Sequence, residues 1–512
     1  MRRQKLVPFL LALAIALWGL RGARTSDIVD TDAARHAMNG ALLLDMARDG
    51  GFMHPVQYAK AYYSRYPALS MPYHPPLFPL AEALAFLGLG VSVFSGRLLV
   101  ALAAGASAVL LYGLILRTHA SHLLAFLATA TFLAINGSQR LARDVMLEYP
   151  ALALMLVSVH ILTRLETGFS TRHAVAFAIA GGAAVWTKQN VLFAGAIPFA
   201  YAVIARKWRL FRERPVWTGA MLFGAISAGA LLLQKLSPLA ANAEWPGGSL
   251  ARIALDHALK YPRIVREEFG AAAIAAIAVS IGAFVLAKRR SPNDLYIAWA
   301  VCCAGLVLAL PPLDARYLFF AYPALILTGY AGLFAAGRML LPERFAWGLP
   351  VLAGVAWFAV AAHPSSVFLH GPSDAARAVL ASSPRRILYC GRANGSFIFA
   401  VRSLAGERRL EVIRGDKLDP AVFDRAAFQT FASEYGIEQI VLERSEASGY
   451  PWDGLYRTPL PTMIPAREIP LASSDALMRG ALRIFRFTTP SPNPARSVTL
   501  RMMNGKELIV RF

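Results

Sequence analysis

The segment at residues 27–36 places three aspartates, an arginine and a histidine directly after the first apolar stretch. If the chain is helical from Thr31, then Asp32, Arg35 and His36 are spaced i, i+3 and i+4 and share one face. A carboxylate beside a fixed cation is suited to work on a phosphate-bearing substrate. The competing interpretation is a helix N-cap, because Asp or Thr often precedes an apolar-periodic run. The segment by itself leaves both interpretations open.

Other ionisable side chains fall at the predicted ends of apolar segments. Glu148 opens one such segment, Lys188 separates two of them, and Asp314 and Arg316 precede a fourth, while His74 lies in a proline-rich stretch. Ionisable groups at membrane depth are costly, so their first interpretation is functional. The alternatives are a solvated helix end, a snorkelling lysine and a local acid–arginine pair. The positions of the apolar segments must decide between them.

The composition indicates a membrane protein. The chain has 512 residues, of which 56% are hydrophobic and 16% are charged, against about 25% charged in an average globular chain. Long apolar runs recur up to about residue 362 and predict about eleven transmembrane helices. The predicted spans are 6–20, 97–116, 121–137, 147–164, 173–187, 190–205, 216–235, 270–287, 294–311, 316–337 and 346–362.

Charge predicts which side of the membrane each connection occupies. Arginine and lysine concentrate in alternate connections, at 117–122, 164–172, 206–214, 288–290 and 338–344. The positive-inside rule places these connections in the cytoplasm, and the loop 21–95 on the opposite, extracytoplasmic side. The short apolar segment 77–89 is predicted to be an interfacial helix, because a span there would put the later basic connections outside. All the candidate site residues then lie on the extracytoplasmic side.

The last 150 or so residues have a different character. Short apolar strands predicted at 386–390, 409–413, 437–442 and 482–487, with a helix at 421–435, indicate a soluble α/β domain over residues 363–512. An odd number of spans places this domain outside, with the first loop. The formal charge of +21 is explained by topology and lipid headgroups, since no nucleic-acid-binding motif is present.

Taken together, the motifs resemble a known family. The chain is similar to the integral-membrane glycosyltransferases of the GT-C fold, in the group of protein O-mannosyltransferases and the bacterial aminoarabinose transferase of lipid A. The resemblance covers residues 1–362. The motifs that carry it are, in chain order, Asp32-Ala33-Ala34-Arg35, His74-Pro75-Pro76-Leu77, Glu148-Tyr149-Pro150, Thr187-Lys188, and Arg316-Tyr317-Leu318 with Tyr322-Pro323.

The resemblance implies a bacterial inner-membrane enzyme that moves a sugar from a polyprenyl-phosphate donor to a lipid, glycan or protein acceptor, with inversion. It implies that Asp32 is the catalytic acid/base, with Glu148 as a second catalytic acid. Its donor-phosphate site would comprise Arg35, Lys188, Arg316 and His74. Some relatives bind a divalent metal near the acids, and Glu148 and His74 are the ligands this would imply here.

Two departures from the family pattern stand out. Ala33 replaces the second acid of the first motif, so any role of that acid passes to Asp30, to Glu148 or to no residue. His74 replaces a lysine found in the lipid A branch, and a histidine is mostly uncharged near neutral pH.

Two other classes of protein could use the same polar residues. A transporter or flippase of a lipid-linked saccharide is expected to show internal repeats and polar groups at the bilayer midplane. This sequence has no evident repeat, and its acids cluster towards one surface. A ligase or polymerase of envelope glycans would carry a large late outer loop, whereas the loop at 312–316 is short.

Overall fold

The computed structural model describes residues 2–236, 249–286, 293–310, 313–361, 367–406, 410–445, 449–501 and 507–511. In the described part of residues 2–361, the regular secondary structure consists of helices joined by turns and loops. The predicted basic connection at 288–290 lies outside the described residues. The helices are α1 (Arg2–Leu20), α2 (Thr31–Arg48), α3 (Pro55–Arg65), α4 (Leu77–Leu89), α5 (Val93–His119), α6 (His122–Ala134), α7 (Asn136–Ala142), α8 (Glu148–Leu162), α9 (Thr171–Thr187), α10 (Ile197–Ile204), α11 (Arg214–Leu236), α12 (Leu250–Leu286), α13 (Asp294–Ala309), α14 (Tyr322–Leu340) and α15 (Gly348–Ala361).

Four helices in the described part of the chain are long and apolar enough to cross a membrane. They are Val93–His119, Glu148–Leu165, Arg214–Leu236 and Tyr322–Leu340. Five shorter apolar helices accompany them, at Leu6–Leu20, Leu77–Leu89, His122–Ala134, Gln189–Ile204 and Asp294–Ala309. The chain is therefore a multi-pass membrane protein, while the count of about eleven spans and the interfacial position of α4 stay predictions.

The structure departs from regular α-helix at the start of several predicted spans, including 190–205, which begins as the 3-10 helix Gln189–Ala196. The long helix α12 contains a break at Gly270, whose φ of 74° and ψ of 161° are not helical. This conformation is easily reached by glycine because it has no Cβ. The predicted span at 316–337 begins as a 3-10 turn, Ala315–Phe320, and becomes α-helical only at Tyr322. That turn brings Arg316 to the surface of the bundle.

The C-terminal region forms the predicted α/β structure around a mixed six-stranded sheet in the order β1-β5-β6-β4-β2-β3, with a separate β7-β8 hairpin. Strand β2 is parallel to both β3 and β4, whereas the remaining pairs are antiparallel. The elements are β1 (Leu369–His370), α16 (Pro372–Leu380), β2 (Arg386–Cys390), α17 (Asn394–Ala405), β3 (Glu411–Arg414), α18 (Arg425–Glu434), β4 (Gln439–Ser445), α19 (Asp453–Arg457), β5 (Met463–Ser473), β6 (Gly480–Phe487), β7 (Ser497–Arg501) and β8 (Glu507–Arg511).

The C-terminal sheet packs directly on the first loop. The Asp27 N–H donates to the Leu369 carbonyl at 2.8 Å, and the guanidinium of Arg402 pairs with the Asp45 carboxylate through Nε at 2.7 Å. Apolar residues of the bundle, of α2 and of one face of the sheet form one continuous core. The first loop and the C-terminal domain therefore lie on the same side of the helical bundle, as the sequence predicts. The division of the chain at residue 362 remains a prediction.

Candidate functional site

Two aspartates at the start of helix α2, Asp30 and Asp32, make different contacts. Asp30 is the N-cap residue, and its carboxylate accepts the backbone N–H of Asp32 at 2.8 Å. This bond satisfies one of the unpaired donors at the start of the helix. Because Asp30 serves the cap, the side chain of Asp32 is left for other partners. The cap interpretation is therefore confirmed for Asp30, and the functional interpretation of Asp32 stays a prediction.

The Asp32 carboxylate lies between two guanidinium groups. Its Oδ1 accepts from Nη1 of Arg35 at 3.1 Å, and its Oδ2 accepts from Nη1 and Nη2 of Arg316 at 3.2 Å each. Arg35 comes from the next turn of α2, whereas Arg316 is 284 residues away in sequence. The Asp32 side chain remains 32% exposed, so a substrate can reach it.

The neighbouring charges keep Asp32 ionised. Burial alone would raise the pKa of Asp32, but the neighbouring His36, Arg316 and Arg35 side chains together outweigh it and hold that pKa well below its ordinary value. The carboxylate is therefore a hydrogen-bond acceptor at neutral pH.

Arg316 is positioned by its own neighbour. The Asp314 carboxylate accepts the backbone N–H of Arg316 through Oδ1 and its Nε through Oδ2, both at 2.8 Å. The local acid–arginine pair considered from the sequence is present. Nη2 of Arg316 also lies 2.8 Å from Oδ2 of Asp314, so Asp314 and Asp32 share the Arg316 guanidinium and the pair is a part of the site.

Glu148 and Lys188 form a second, buried ion pair. Nζ of Lys188 donates to Oε1 of Glu148 at 2.7 Å, with the side chains 8% and 0% exposed. Oε2 of Glu148 has no hydrogen-bond partner within the described residues. Each charge offsets the cost of burying the other. The Lys188 ammonium donates one hydrogen bond to Glu148, and a ligand could contact this ammonium only from its small solvent-exposed side.

Two neutral histidines fill the space between the pairs. The rings of His36 and His74 meet edge to face, with centroids 4.7 Å apart. Burial lowers the pKa of His36 far below its ordinary value. Burial and the positive charge of Lys188 together lower the pKa of His74 to about 3. His74 therefore brings no positive charge to a phosphate at neutral pH, consistent with the departure noted in the sequence.

Sequence reasoning missed the role of Arg97 and Asp144 in positioning α2. Oδ2 of Asp144 accepts the backbone N–H groups of Val29 at 3.0 Å and Asp30 at 2.7 Å. The Arg97 guanidinium, 1% exposed, donates to the Asp27 carbonyl at 2.8 Å and lies 3.8 Å from Asp144. Burial raises the pKa of Asp144 to about 6, against the opposing effect of Arg97. An arginine at the first position of a predicted span was the available signal.

A cavity of about 590 Å³ lies beside Asp30, the N-cap residue of α2, and beside Arg316. Asp30 and Arg316 line it on one side and Arg140 on another, while the C-terminal domain contributes Asp475 and Met478. The space is large enough for a sugar ring and borders the guanidinium that binds Asp32. The C-terminal domain therefore forms part of the wall of the site.

The residues do not fit the metal site that the resemblance implied. No group of three or more His, Cys, Asp or Glu side chains able to share an ion occurs in the described ranges. One oxygen of Glu148 already accepts from the Lys188 ammonium, which would repel a cation. Metal dependence stays a prediction.

Comparisons with known proteins agree with this architecture. A family model described as dolichyl-phosphate-mannose-protein mannosyltransferase matches residues 68–236. The structure resembles ArnT from Cupriavidus metallidurans bound to undecaprenyl phosphate, with a TM-score of 0.56, 16% identity, and coverage of 93% of this chain and 97% of that one. It also resembles the oligosaccharyltransferase of Archaeoglobus fulgidus in its apo form, with a TM-score of 0.50, 11% identity, and coverage of 85% and 69%. No curated protein sequence matches.

These likenesses define the fold. The helical bundle with a C-terminal domain on one side is the GT-C architecture of membrane glycosyltransferases. The fold predicted from the order of the motifs is thereby confirmed. At these identities the likeness extends to the fold, and the roles of individual residues rest on the geometry described above.

Proposed function

We propose that this protein is a membrane glycosyltransferase that moves a sugar from a polyprenyl-phosphate donor to a lipid, glycan or protein acceptor. The observation that carries the proposal is the Asp32 carboxylate, held between Arg35 and Arg316, of which Arg316 also lines the cavity of about 590 Å³. The family-model match and the undecaprenyl phosphate bound to ArnT support the class of donor.

The proposed reaction is a single displacement at the anomeric carbon. Asp32 accepts the proton of the acceptor hydroxyl while the hydroxyl oxygen forms its bond to the anomeric carbon. The bond from that carbon to the phosphate oxygen breaks, and its electron pair stays with the departing polyprenyl phosphate. Arg35 and Arg316 stabilise the negative charge that gathers there. Attack opposite the leaving group inverts the anomeric configuration.

Donor binding would also prepare the base. Without a donor, both guanidinium groups bind Asp32, which depresses its pKa and weakens it as a base. A phosphate that takes over hydrogen bonds from Arg35 or Arg316 removes part of this stabilisation, so the pKa of Asp32 rises towards its ordinary value. The acid becomes a better proton acceptor only when the leaving group is in place.

Glu148 and Lys188 have a supporting role in this proposal. The Lys188 ammonium presents a third positive charge at the donor phosphate, in addition to Arg35 and Arg316, while Glu148 keeps that ammonium in place. His74 packs between the pairs as a neutral group that can donate or accept one hydrogen bond.

We place the site on the extracytoplasmic side of a bacterial inner membrane, because the basic connections lie at the opposite end of the spans. A reporter fused after Arg214 should then be active only in the cytoplasm. One fused after His370, which lies on the same side as α2, should be active only outside. The reverse pattern would put the site in the cytoplasm and contradict this assignment.

The function itself can be tested with purified protein in detergent. Supplied with a panel of polyprenyl-phosphate sugars and cell-envelope lipids, the protein should release free polyprenyl phosphate only when an acceptor is present. Chromatography of the lipid products measures the release, and NMR of the glycosylated product should show the inverted anomeric configuration. Movement of the intact donor across sealed vesicles without cleavage of the sugar–phosphate bond would indicate a flippase and contradict the proposal.

A further inference from the structure

The carboxyl ends of the three parallel strands β2, β3 and β4 meet at one edge of the C-terminal sheet. The segments that leave this edge include residues 391–394 after β2 and residues 415–417 after β3. These two segments are in close contact, because a Cβ on Gly415 would lie 2.2 Å from the Sγ of Cys390. In α/β sheets this edge is where ligands bind.

This edge is covered by the membrane domain. A Cβ on Gly395, at the start of α17, would lie 2.9 Å from the Cβ of Ala34 in α2. Further along the same two helices Arg402 pairs with Asp45, so α17 and α2 run side by side with their N-termini together. The Arg414 guanidinium donates to the Pro67 carbonyl of the first loop at 3.2 Å. The sheet edge therefore faces the turn of α2 that carries Asp32 and Arg35.

Positive charge exceeds negative charge where the edge meets α2. Arg414 binds Asp416 through two hydrogen bonds, from Nε at 3.0 Å and Nη2 at 2.6 Å. The half-buried Lys417 makes no ion pair or hydrogen bond through its ammonium group in the part of the chain that the structure describes. Lys417 ends the 3-10 turn Gly415–Lys417 that directly follows Arg414, at the sheet edge that faces the turn of α2 carrying Arg35. Burial and the positive charge of Arg414 lower the pKa of Lys417, Asp416 opposes this, and Arg35 lowers it further.

Lys417, Arg414 and Arg35 have fewer acidic partners than positive charges. Asp416 is bound by Arg414, and Asp32 is shared between Arg35 and Arg316. Tyr63 of α3 lies near the end of β3, because α3 packs against that strand. The charges of Arg414, Asp416 and Arg35 all affect the pKa of its phenol. A partly buried lysine without an acid next to two arginines is suited to an anion with several oxygens.

We propose that Lys417, together with Arg35 and Arg414, binds a phosphate group of a substrate, so that the C-terminal domain completes the site of the membrane domain. The inference rests on the proposed function for the identity of the reaction. The phosphate belongs either to the polyprenyl donor or to a phosphorylated acceptor, and the two sources share the same chemistry.

The test uses the full-length protein in detergent with three variants. Lys417→Gln removes the charge, Lys417→Arg keeps it, and Lys60→Gln removes a charge from an exposed lysine on α3. Affinity is measured for undecaprenyl phosphate and, separately, for phosphatidic acid as a lipid phosphomonoester, by intrinsic tryptophan fluorescence at fixed salt. We expect Lys417→Gln to weaken binding of one of the two probes about tenfold or more, as for a lost hydrogen bond to a charged group. Lys417→Arg should restore most of the affinity.

The two probes separate the two sources. Weaker binding of undecaprenyl phosphate alone assigns Lys417 to the donor, and weaker binding of phosphatidic acid alone assigns it to the acceptor. Unchanged binding of both, or an equal loss with Lys60→Gln, overturns the proposal. These measurements need no sugar transfer, so they decide the role of Lys417 even if the protein proves not to be a transferase.

Discussion

Replacing Asp32 with Asn should lower kcat by about 10²–10⁴-fold, the usual contribution of a positioned proton acceptor. Asparagine keeps the size of the side chain and can still accept one hydrogen bond, but it cannot accept the proton of the acceptor hydroxyl. The substitution also frees Arg35 and Arg316 from their carboxylate partner. Both guanidinium groups then become available to the donor phosphate, so KM for the donor should stay constant or fall. Both kcat and the donor KM are measured by steady-state kinetics at saturating acceptor.

The matched control is Asp49→Asn, which removes an acid from the other end of the same helix, where Asp49 is the C-cap residue and accepts from the Tyr58 hydroxyl. It should leave kcat within about twofold, as for substitutions away from a site. Transfer at the wild-type rate by Asp32→Asn would show that Asp32 is not the proton acceptor. A large rise in donor KM with normal kcat would instead make Asp32 a binding residue.

The pH dependence of the same reaction follows from the guanidinium groups around Asp32. Because its pKa in the free protein lies well below the ordinary carboxylate range near 4, Asp32 stays ionised in any neutral or mildly acidic buffer. The profile of kcat/KM, which reports on free protein, should therefore show no acid limb from Asp32. The profile of kcat should show one at higher pH, since donor binding relieves the depression of the pKa.

Local sequence patterns were enough to predict many elements. The start of helix α2 at Thr31 and both bounds of the helix Leu77–Leu89 were predicted, because an acidic cap precedes one and proline and glycine delimit the other. The strand Arg386–Cys390 was predicted at the same residues, since it is a short buried run. Strand Met463–Ser473 was missed because most of its residues are exposed and it contains two prolines, which disguise a strand.

The composition of the site could be predicted but its pairing could not. Asp32, Arg35, Glu148, Lys188 and Arg316 were singled out by their charge at the ends of apolar runs. The structure brings three of them together around Asp32 and joins the other two, Glu148 and Lys188, as a pair. Nothing in the local sequence indicates that Glu148 binds Lys188. Contacts across 40 or 284 residues depend on how whole helices pack, which one-dimensional periodicity does not specify.

Removal of one partner of the Glu148–Lys188 pair should have the largest effect on stability. Lys188→Met leaves the Glu148 carboxylate at 0% exposure without its cation, which costs about 3–5 kcal/mol in a buried pair. We expect a marked drop in the apparent Tm of the purified protein and loss of activity. Because large membrane proteins often unfold irreversibly, the comparison is made at one fixed scan rate.

The double variant Glu148→Gln/Lys188→Met separates stability from function. It removes both charges and keeps similar side-chain volumes, so most of the lost Tm should return, as in other proteins where buried ion pairs are replaced by uncharged residues. Activity should not return if the Lys188 ammonium contributes to the donor phosphate site, and donor KM should remain raised. Full recovery of both Tm and activity would show that the pair only stabilises the fold. The positive charges acting on the phosphate would then be those around Asp32, and Lys188 would no longer belong to the proposed site.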